Sequence, residues 1–422
     1  MKKRFLLPLS CAALLTTNIV NAQLVFSTVT TPGYSRPGSV NNSGTVVTAI
    51  NSQKQYLWLK GSEMVQFGQL TGQDQAMSPK TGEDNTKIYG QTKNFDTNKL
   101  GFGVFDTNSQ AWTILGDLLL FDVSSDGTTA VGAGGENGYT RSFKWVKDTG
   151  FINLGSTYPN RDSRADAISN DKKVVGGYQD QLNSLRTATY WMDGNEINIK
   201  TATGDFVEGI VHAINYDGTI MAGNPNVNKL PFIYDRLNNK VTYIESQQYT
   251  TNPTYKGYVN GINDAGTIII GYYSSFLLPT SEGYIWTKNG GYQDFTEYVK
   301  KLGIDVQGLY LYPTAMSPDG LKYAGYAQSG AEQKTWMLDL TTYLATNNTS
   351  KAEVKVYPNP ASNILNISGL KADTKISIHN VAGQLVKTST SSQIDINNLP
   401  KGNYIISYDV NGKATSQKFI KQ

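Results

Sequence analysis

The sequence predicts an all-β protein: a seven-bladed β-propeller followed by a small Ig-like β-sandwich. Three observations carry that prediction. A turn-and-strand pattern recurs roughly every 45 residues, the size of a four-stranded blade. Each recurrence holds an aromatic strand. The last seventy or so residues form a separate run of short alternating strands broken by Gly, Pro and Asn.

The N-terminus comes first. Met1-Lys2-Lys3-Arg4 is basic, Phe5 to Leu15 is apolar, and Val20-Asn21-Ala22 ends in small residues before Gln23. This reads as a signal peptide over residues 1–22, cleaved between Ala22 and Gln23. The apolar run is too short to span a membrane, and no later run approaches the roughly 18 residues needed, so the mature chain is expected to hold no transmembrane span. The single cysteine, Cys11, lies in this leader. Disulfides, thiol catalysis and cysteine-bound zinc are therefore excluded for the mature protein.

Residues 23–345 repeat. Seven copies of a turn follow one another: Val40-Asn41-Asn42-Ser43-Gly44, Ala76-Met77-Ser78-Pro79, Val123-Ser124-Ser125-Asp126-Gly127 and Ala167-Ile168-Ser169-Asn170-Asp171. The later three are Ala213-Ile214-Asn215-Tyr216-Asp217-Gly218, Gly261-Ile262-Asn263-Asp264-Ala265-Gly266 and Ala315-Met316-Ser317-Pro318-Asp319-Gly320. Gly82 is taken as the turn glycine of the second copy. Asp-Gly between alternating runs predicts tight hairpins with positive φ at both turn residues. A small-apolar strand ending in glycine follows each turn, as in Val174-Val175-Gly176-Gly177. Next comes an aromatic strand, such as Tyr56-Leu57-Trp58, Phe143-Lys144-Trp145 or Tyr284-Ile285-Trp286. Dividing the 323 residues by the pitch gives seven blades, with six and eight as the neighbouring counts. The aromatic residues are expected between blades and the small strands near the axis. Leu24-Val25-Phe26 is expected to complete the last blade.

Residues 346–353, within a Thr-, Asn- and Ser-rich stretch, read as a linker. Residues 354–422 open on Tyr357-Pro358-Asn359-Pro360 and continue through Gly383, Leu399, Gly402, Tyr404 and Phe419 in a series of short strands. This order of motifs resembles the C-terminal sorting domain, type A, of Bacteroidetes type IX secretion cargo. The resemblance implies that residues 354–422 engage the type IX machinery. It implies a route through Sec export to the periplasm, then to the medium or the outer-membrane surface. The body's Ala-Ile-Asn/Ser-x-Asp-Gly turn, Val-x-Gly strand and aromatic strand resemble the HAF family of extracellular repeats. No intact His-Ala-Phe triplet is present, only variants such as Arg141-Ser142-Phe143 and Ala188-Thr189-Tyr190. Ser317-Pro318-Asp319-Gly320 is also similar to the turns of TolB-like propellers. Both relatives imply a propeller, and neither implies an activity.

Charge and chemistry narrow the function classes. The whole chain is +3, yet the leader holds three cations and residues 352–422 hold eight lysines against four acids. By subtraction the body is about −4, a balance that argues against nucleic-acid binding. Of the two histidines, His379 belongs to the C-terminal module, so His212 is the one catalytic candidate of its kind in the body. A lone histidine with no partner motif fits a structural role better than a catalytic one. No metal site and no cofactor-binding loop are expected. Most Asp residues sit in the repeat turns, where backbone geometry accounts for them. Tyrosines near Asn, as in Tyr272-Tyr273, Tyr310-Leu311-Tyr312 and Tyr249 to Tyr258, suit sugar or peptide recognition. The expected function is an extracellular binding module for glycan or protein. The alternatives are a polysaccharide-active hydrolase or lyase with its site in the propeller funnel, and a structural or adhesion surface protein.

Overall fold

A computed structural model describes residues 26–341 and 354–422. Short stretches at 31–34, 51–54, 61–62, 70–78, 95, 184, 227–229, 248–253, 276–280, 330–331, 371–372, 382 and 411–412 are not described. The expected cleavage site at Ala22 and Gln23 and the linker 346–353 lie outside the described residues, as do Leu24 and Val25. The chain divides into two compact units, 1–341 and 342–422.

In the first unit each repeat folds into its own antiparallel four-stranded meander, because local alternation favours pairing with the nearest run. Six such sheets occupy residues 35–69, 80–116, 119–153, 163–198, 209–243 and 255–294. A seventh takes three strands from 310–339 and its fourth from the N-terminus: Phe26–Thr30 pairs antiparallel with Glu332–Asp339, Phe26 opposite Leu338. The first strand of each sheet touches the first strands of its neighbours, and that of the seventh touches that of the first. Sequential twisted sheets arranged about a common axis, with the first and last strands of the unit joined in one sheet, make a β-propeller.

The core lies between sheets. Tyr190, Tyr234, Val211 and Phe232 form one cluster between the fourth and fifth sheets, and Tyr273, Tyr284, Val259 and Ile233 another between the fifth and sixth. Trp336 is fully buried, and burial of a large aromatic of this kind contributes about 3–5 kcal/mol against alanine. One helix, Phe295–Lys301, departs from the purely β expectation. The Asp294 side chain caps it by accepting from the Glu297 N–H at 2.8 Å, and Phe295 packs its ring 5.5 Å from that of Trp336. Among the described residues no helix is long and apolar enough to cross a membrane.

The turns differ from the predicted geometry in two ways. In Ser124-Ser125-Asp126-Gly127-Thr128 only Gly127 has positive φ (68°), and Gly218, Gly266 and Gly320 repeat this, with Lys172 standing at φ 66° in the fourth copy. Two consecutive positive-φ residues occur instead at outer hairpins, Asn137-Gly138 and Asp193-Gly194. In the second sheet Gly82 precedes the turn and is not its positive-φ residue. A Cβ there would meet the Ser125 carbonyl oxygen of the next sheet at 2.6 Å, so this glycine permits a close approach between sheets.

The second unit contains a three-stranded and a four-stranded antiparallel sheet around a shared apolar core that includes Leu365, Ile378, Ile394, Ile406 and Phe419.

Candidate functional site

The site grows out of an irregularity that six of the seven sheets share. Register shifts mark a bulge in each first strand at Gly38, Phe121, Asp166, His212, Asn260 and Thr314. A bulge leaves one residue unpaired and re-aims its side chain. Two residues separate each bulged residue from the repeat turn, in four copies a small-apolar pair such as Ala213-Ile214; Ser39 and Asp122 replace the small apolar residue in the other two. The bend presses the first strand against the second. At Gly177 a Cβ would lie 1.8 Å from the Arg164 carbonyl oxygen, and at Gly132 1.8 Å from that of Leu119. The glycine ending each small-apolar strand is therefore the counterpart of the bulge.

At the turn end of the first strands, polar groups are consumed by the fold. Ser124, Ser169 and Ser317 are fully buried, and Asn215 and Asn263 nearly so. Ser169 Oγ donates to Asp171 Oδ1 (2.7 Å) and accepts from the Val174 N–H (3.0 Å); the Asn215 amide does the equivalent with Asp217 and Ile220. Neighbouring turns are then linked sheet to sheet. The Asn42 N–H donates to Glu83 Oε1 (3.2 Å), the Glu83 N–H to the Ser125 carbonyl (2.7 Å), and the Ser125 N–H to Asn170 Oδ1 (2.9 Å). Asp171 continues to Tyr216 (2.9 Å), Tyr216 to Asp264 (3.1 Å) and Asp264 to Pro318 (2.7 Å). The Asp319 N–H donates to Asn42 Oδ1 (3.0 Å) and completes the circle. Asn170 Nδ2 reaches past the fifth sheet to Asp264 Oδ1 (2.6 Å), narrowing this end.

Inside the circle lies a channel cavity of about 140 Å³, whose lining includes Lys80, Asp122, His212, Asn260 and Thr314. Asn260 Nδ2 donates to the Pro313 carbonyl (2.8 Å), and Thr314 Oγ1 to the Pro37 carbonyl (2.8 Å). Asp122 accepts from the Ile168 N–H (3.0 Å) and faces Lys80 Nζ at 3.9 Å; burial pushes its carboxyl above the usual range, against the pull of Lys80. His212 is half-buried and makes no hydrogen bond among the described residues. Burial, and then the cations of Lys80, Arg36 and Arg164, depress its imidazole to about 3. It is a neutral ring at physiological pH.

One layer further from the turns, two residues before the bulge, the character changes. Arg36, Arg164, Tyr258 and Tyr312 occupy this layer. Arg36 donates to Asn260 Oδ1 (2.9 Å) and lies 5.3 Å from the Tyr272 ring centroid. Tyr258 stacks on its cross-strand partner Tyr272 at 4.8 Å, and Tyr312 on Tyr326 at 4.9 Å. Arg164 is held by buried Asp166 through two bonds (2.6 and 3.0 Å) and covers Phe121 and Tyr178.

The structure thus sorts the residues singled out from sequence. His212 lines the channel, with no acid or base joined to it. The turn carboxylates Asp126, Asp171, Asp217 and Asp319 bind their own turns. Tyr273 is core and donates to the Ile244 carbonyl, whereas Tyr258, Tyr272 and Tyr312 belong to the stacked layer; Tyr249 lies outside the described residues. Arg36, Lys80, Asp122 and Asn260 were not singled out as channel groups. For Asn260 and Arg36 the signal is positional: within a nearly constant repeat frame, the bulge and the residue two before it vary in chemistry from copy to copy. Among the described residues no three His, Asp or Glu converge as a metal-holding group.

In the second unit, Asn359 Nδ2 donates to the Lys418 carbonyl (3.2 Å) and its Oδ1 accepts from the Ile420 N–H (2.9 Å). These bonds tie the opening motif to the last strand. The Tyr357-Pro358 and Asn359-Pro360 bonds are cis. Tyr404 stacks on Phe419 (5.6 Å) and donates to the Pro400 carbonyl (2.8 Å); Leu399 packs against the core, and Gly383 takes φ +78° in a turn.

No curated protein matches this chain. Solved structures that it resembles include the β-propeller domain of the Trilobed protease from Pyrococcus furiosus, at 13% identity over 73% of this chain and 98% of that one, TM-score 0.47. A putative TolB from Agrobacterium tumefaciens shares 10% identity over 55% and 83%, TM-score 0.41. An oligogalacturonate lyase from Vibrio parahaemolyticus shares 13% over 75% and 97%, TM-score 0.47. Likeness at this level bears on architecture alone. The C-terminal module is more specific: residues 355–422 match the model of the Secretion system C-terminal sorting domain, so the chain carries a type IX secretion sorting domain at its C-terminus.

Proposed function

We propose that this is a secreted or surface-attached binding protein, a seven-bladed propeller that takes an extracellular glycan or protein at the loop end of its channel. The observation that carries this reading is the isolation of His212. A base depressed to about 3, with no carboxylate or second base joined to it, is poorly matched to proton transfer near neutral pH. Around it, polar groups are positioned to hold a ligand. The count of seven rests on the circle of turn contacts and on the first strand completing the last sheet.

In this reading residues 1–22 are a signal peptide cut between Ala22 and Gln23, 23–345 are the cargo and 346–353 the linker. Residues 354–422 are an Ig-like sorting module of Bacteroidetes type. Tyr357, Pro358, Asn359, Pro360, Gly383, Leu399, Gly402, Tyr404 and Phe419 form its sorting motif. Sec export precedes the type IX step, and the repeats are HAF-like.

Incubating the purified protein with a glycan panel, and measuring both binding and new reducing ends, tests the proposal. Binding without turnover is the expected result. Turnover abolished by His212→Ala would replace it with a polysaccharide hydrolase or lyase. For the route, deletion of 354–422 should leave the body in the periplasm, and normal appearance outside the cell would refute the assignment.

A further inference from the structure

Resting on the binding reading above, we propose that the channel takes an acidic sugar, with Arg36 receiving the carboxylate of a hexuronate unit and Tyr258, Tyr272 and Tyr312 flanking its ring. Charge accounting leads there. Lys80 faces Asp122, Arg164 is held by Asp166, and Arg186 is paired with Asp180 at 3.2 Å. Arg36 alone among these cations has no carboxylate partner among the described residues. Its one side-chain bond goes to the neutral oxygen of Asn260, which leaves most of its five N–H donors unused.

A half-buried guanidinium without a counter-ion keeps donors free for a ligand that supplies one. The planar guanidinium fork of Arg36 fits a carboxylate in a bidentate arrangement, which the point charge of Lys256, 5.6 Å from the Tyr258 ring, does not. His212 offers a neutral ring with both nitrogens unbonded, suited to a hydroxyl neighbour of the carboxylate. The Tyr258–Tyr272 stack, whose Tyr272 ring lies 5.3 Å from Arg36, and the Tyr312–Tyr326 stack of the same layer supply flat apolar faces, and a sugar ring has complementary C–H faces where an acidic peptide side chain has none. The cavity of about 140 Å³ on the turn side of this layer is lined by His212 and by Asn260, the acceptor for Arg36.

Titration calorimetry of the purified protein with galacturonate and glucuronate tests this, with galactose and glucose as neutral controls and tetraglutamate as the peptide rival. A uronate should bind at least about tenfold tighter than its neutral counterpart, the equivalent of one charge-assisted contact. Arg36→Met should lose that margin and Arg36→Lys recover part of it, while both keep the wild-type circular dichroism spectrum. Should Arg36→Met fail to fold, the wild-type salt dependence decides: uronate affinity must fall as salt rises and neutral-sugar affinity must not. Equal binding of neutral sugars, unchanged uronate affinity in Arg36→Met, salt-independent uronate affinity, or a preference for tetraglutamate each overturns the inference. So does absence of uronate binding, and if the glycan panel still shows other ligands bound, only the acidic-sugar assignment falls.

Discussion

The two ends of the first strands are built from the same repeat but treat polar groups in opposite ways. At the turn end, Ser169, Asn215 and their equivalents are buried and doubly bonded, and the turns hold one another in a closed circle. Toward the loop end, among the described residues, Arg36 has no carboxylate partner and His212 makes no hydrogen bond. Conformation is specified at the first end and chemistry is presented at the second, because groups saturated by their own chain have little left for a ligand.

The closing strand should matter most to stability. Removing Phe26–Thr30 strips the seventh sheet of its outer strand and exposes the flank of Trp336, whose ring lies 6.3 Å from that of Phe26. Cooperative unfolding in urea should be lost, or its midpoint should fall steeply; an unchanged midpoint would mean that the ring holds without its clasp. Next comes the counterpart of the bulge. Gly177→Ala should cost about 3 kcal/mol, because the new methyl collides with backbone. Gly138→Ala, in a turn with φ +81° and open space around it, should cost about 1 kcal/mol. Equal costs from denaturation curves would show that the bulge yields.

Smaller effects probe each end in turn. Ser169→Ala leaves the buried Val174 N–H without its hydroxyl acceptor and should cost about 2 kcal/mol. Asn170→Ala, which removes a link of the circle at a less buried place, should cost about 1 kcal/mol. His212→Gln should be within about 0.5 kcal/mol of wild type at pH 7, since no bond is lost. Its effect appears on acidification. The unfolded imidazole takes a proton below pH 6.5, whereas the folded one resists until about pH 3, so the wild type loses stability as pH falls through that window. At pH 5 the variant should therefore be the more stable by about 1–2 kcal/mol, measured as the difference between paired urea curves. No gain at pH 5 would mean that the ring is not held neutral.

Much of this architecture was legible in the residues. The spacing of Ser/Asn-x-Asp-Gly turns and aromatic strands marks the sheets, and Phe26 sits where the last sheet lacks a strand. Turn geometry was legible only in part, since Asp-Gly sequences serve more than one turn type and buried Ser or Asn caps decide between them. Gly82 misled because close approach and positive φ both call for glycine. The helix at Phe295–Lys301 was hidden by its brevity, as seven residues carry little periodicity. The channel groups escaped because a bulge is invisible to an alternating pattern. Arg36 and Asn260 lie 224 positions apart, and only ring closure brings them together.

The bulge also gives the repeat a useful independence. Its side chain lies outside the ladder, so strand pairing does not fix its identity even where, as at Asn260 and Thr314, it bonds to a neighbouring sheet. Glycine, phenylalanine, aspartate, histidine, asparagine and threonine occupy it in the first and the third to seventh copies. The frame works as a row of sockets around one axis, where selection can exchange a contact without renegotiating the scaffold. Divergence of specificity in such a chain should concentrate at these few addresses while the turns beside them stand still.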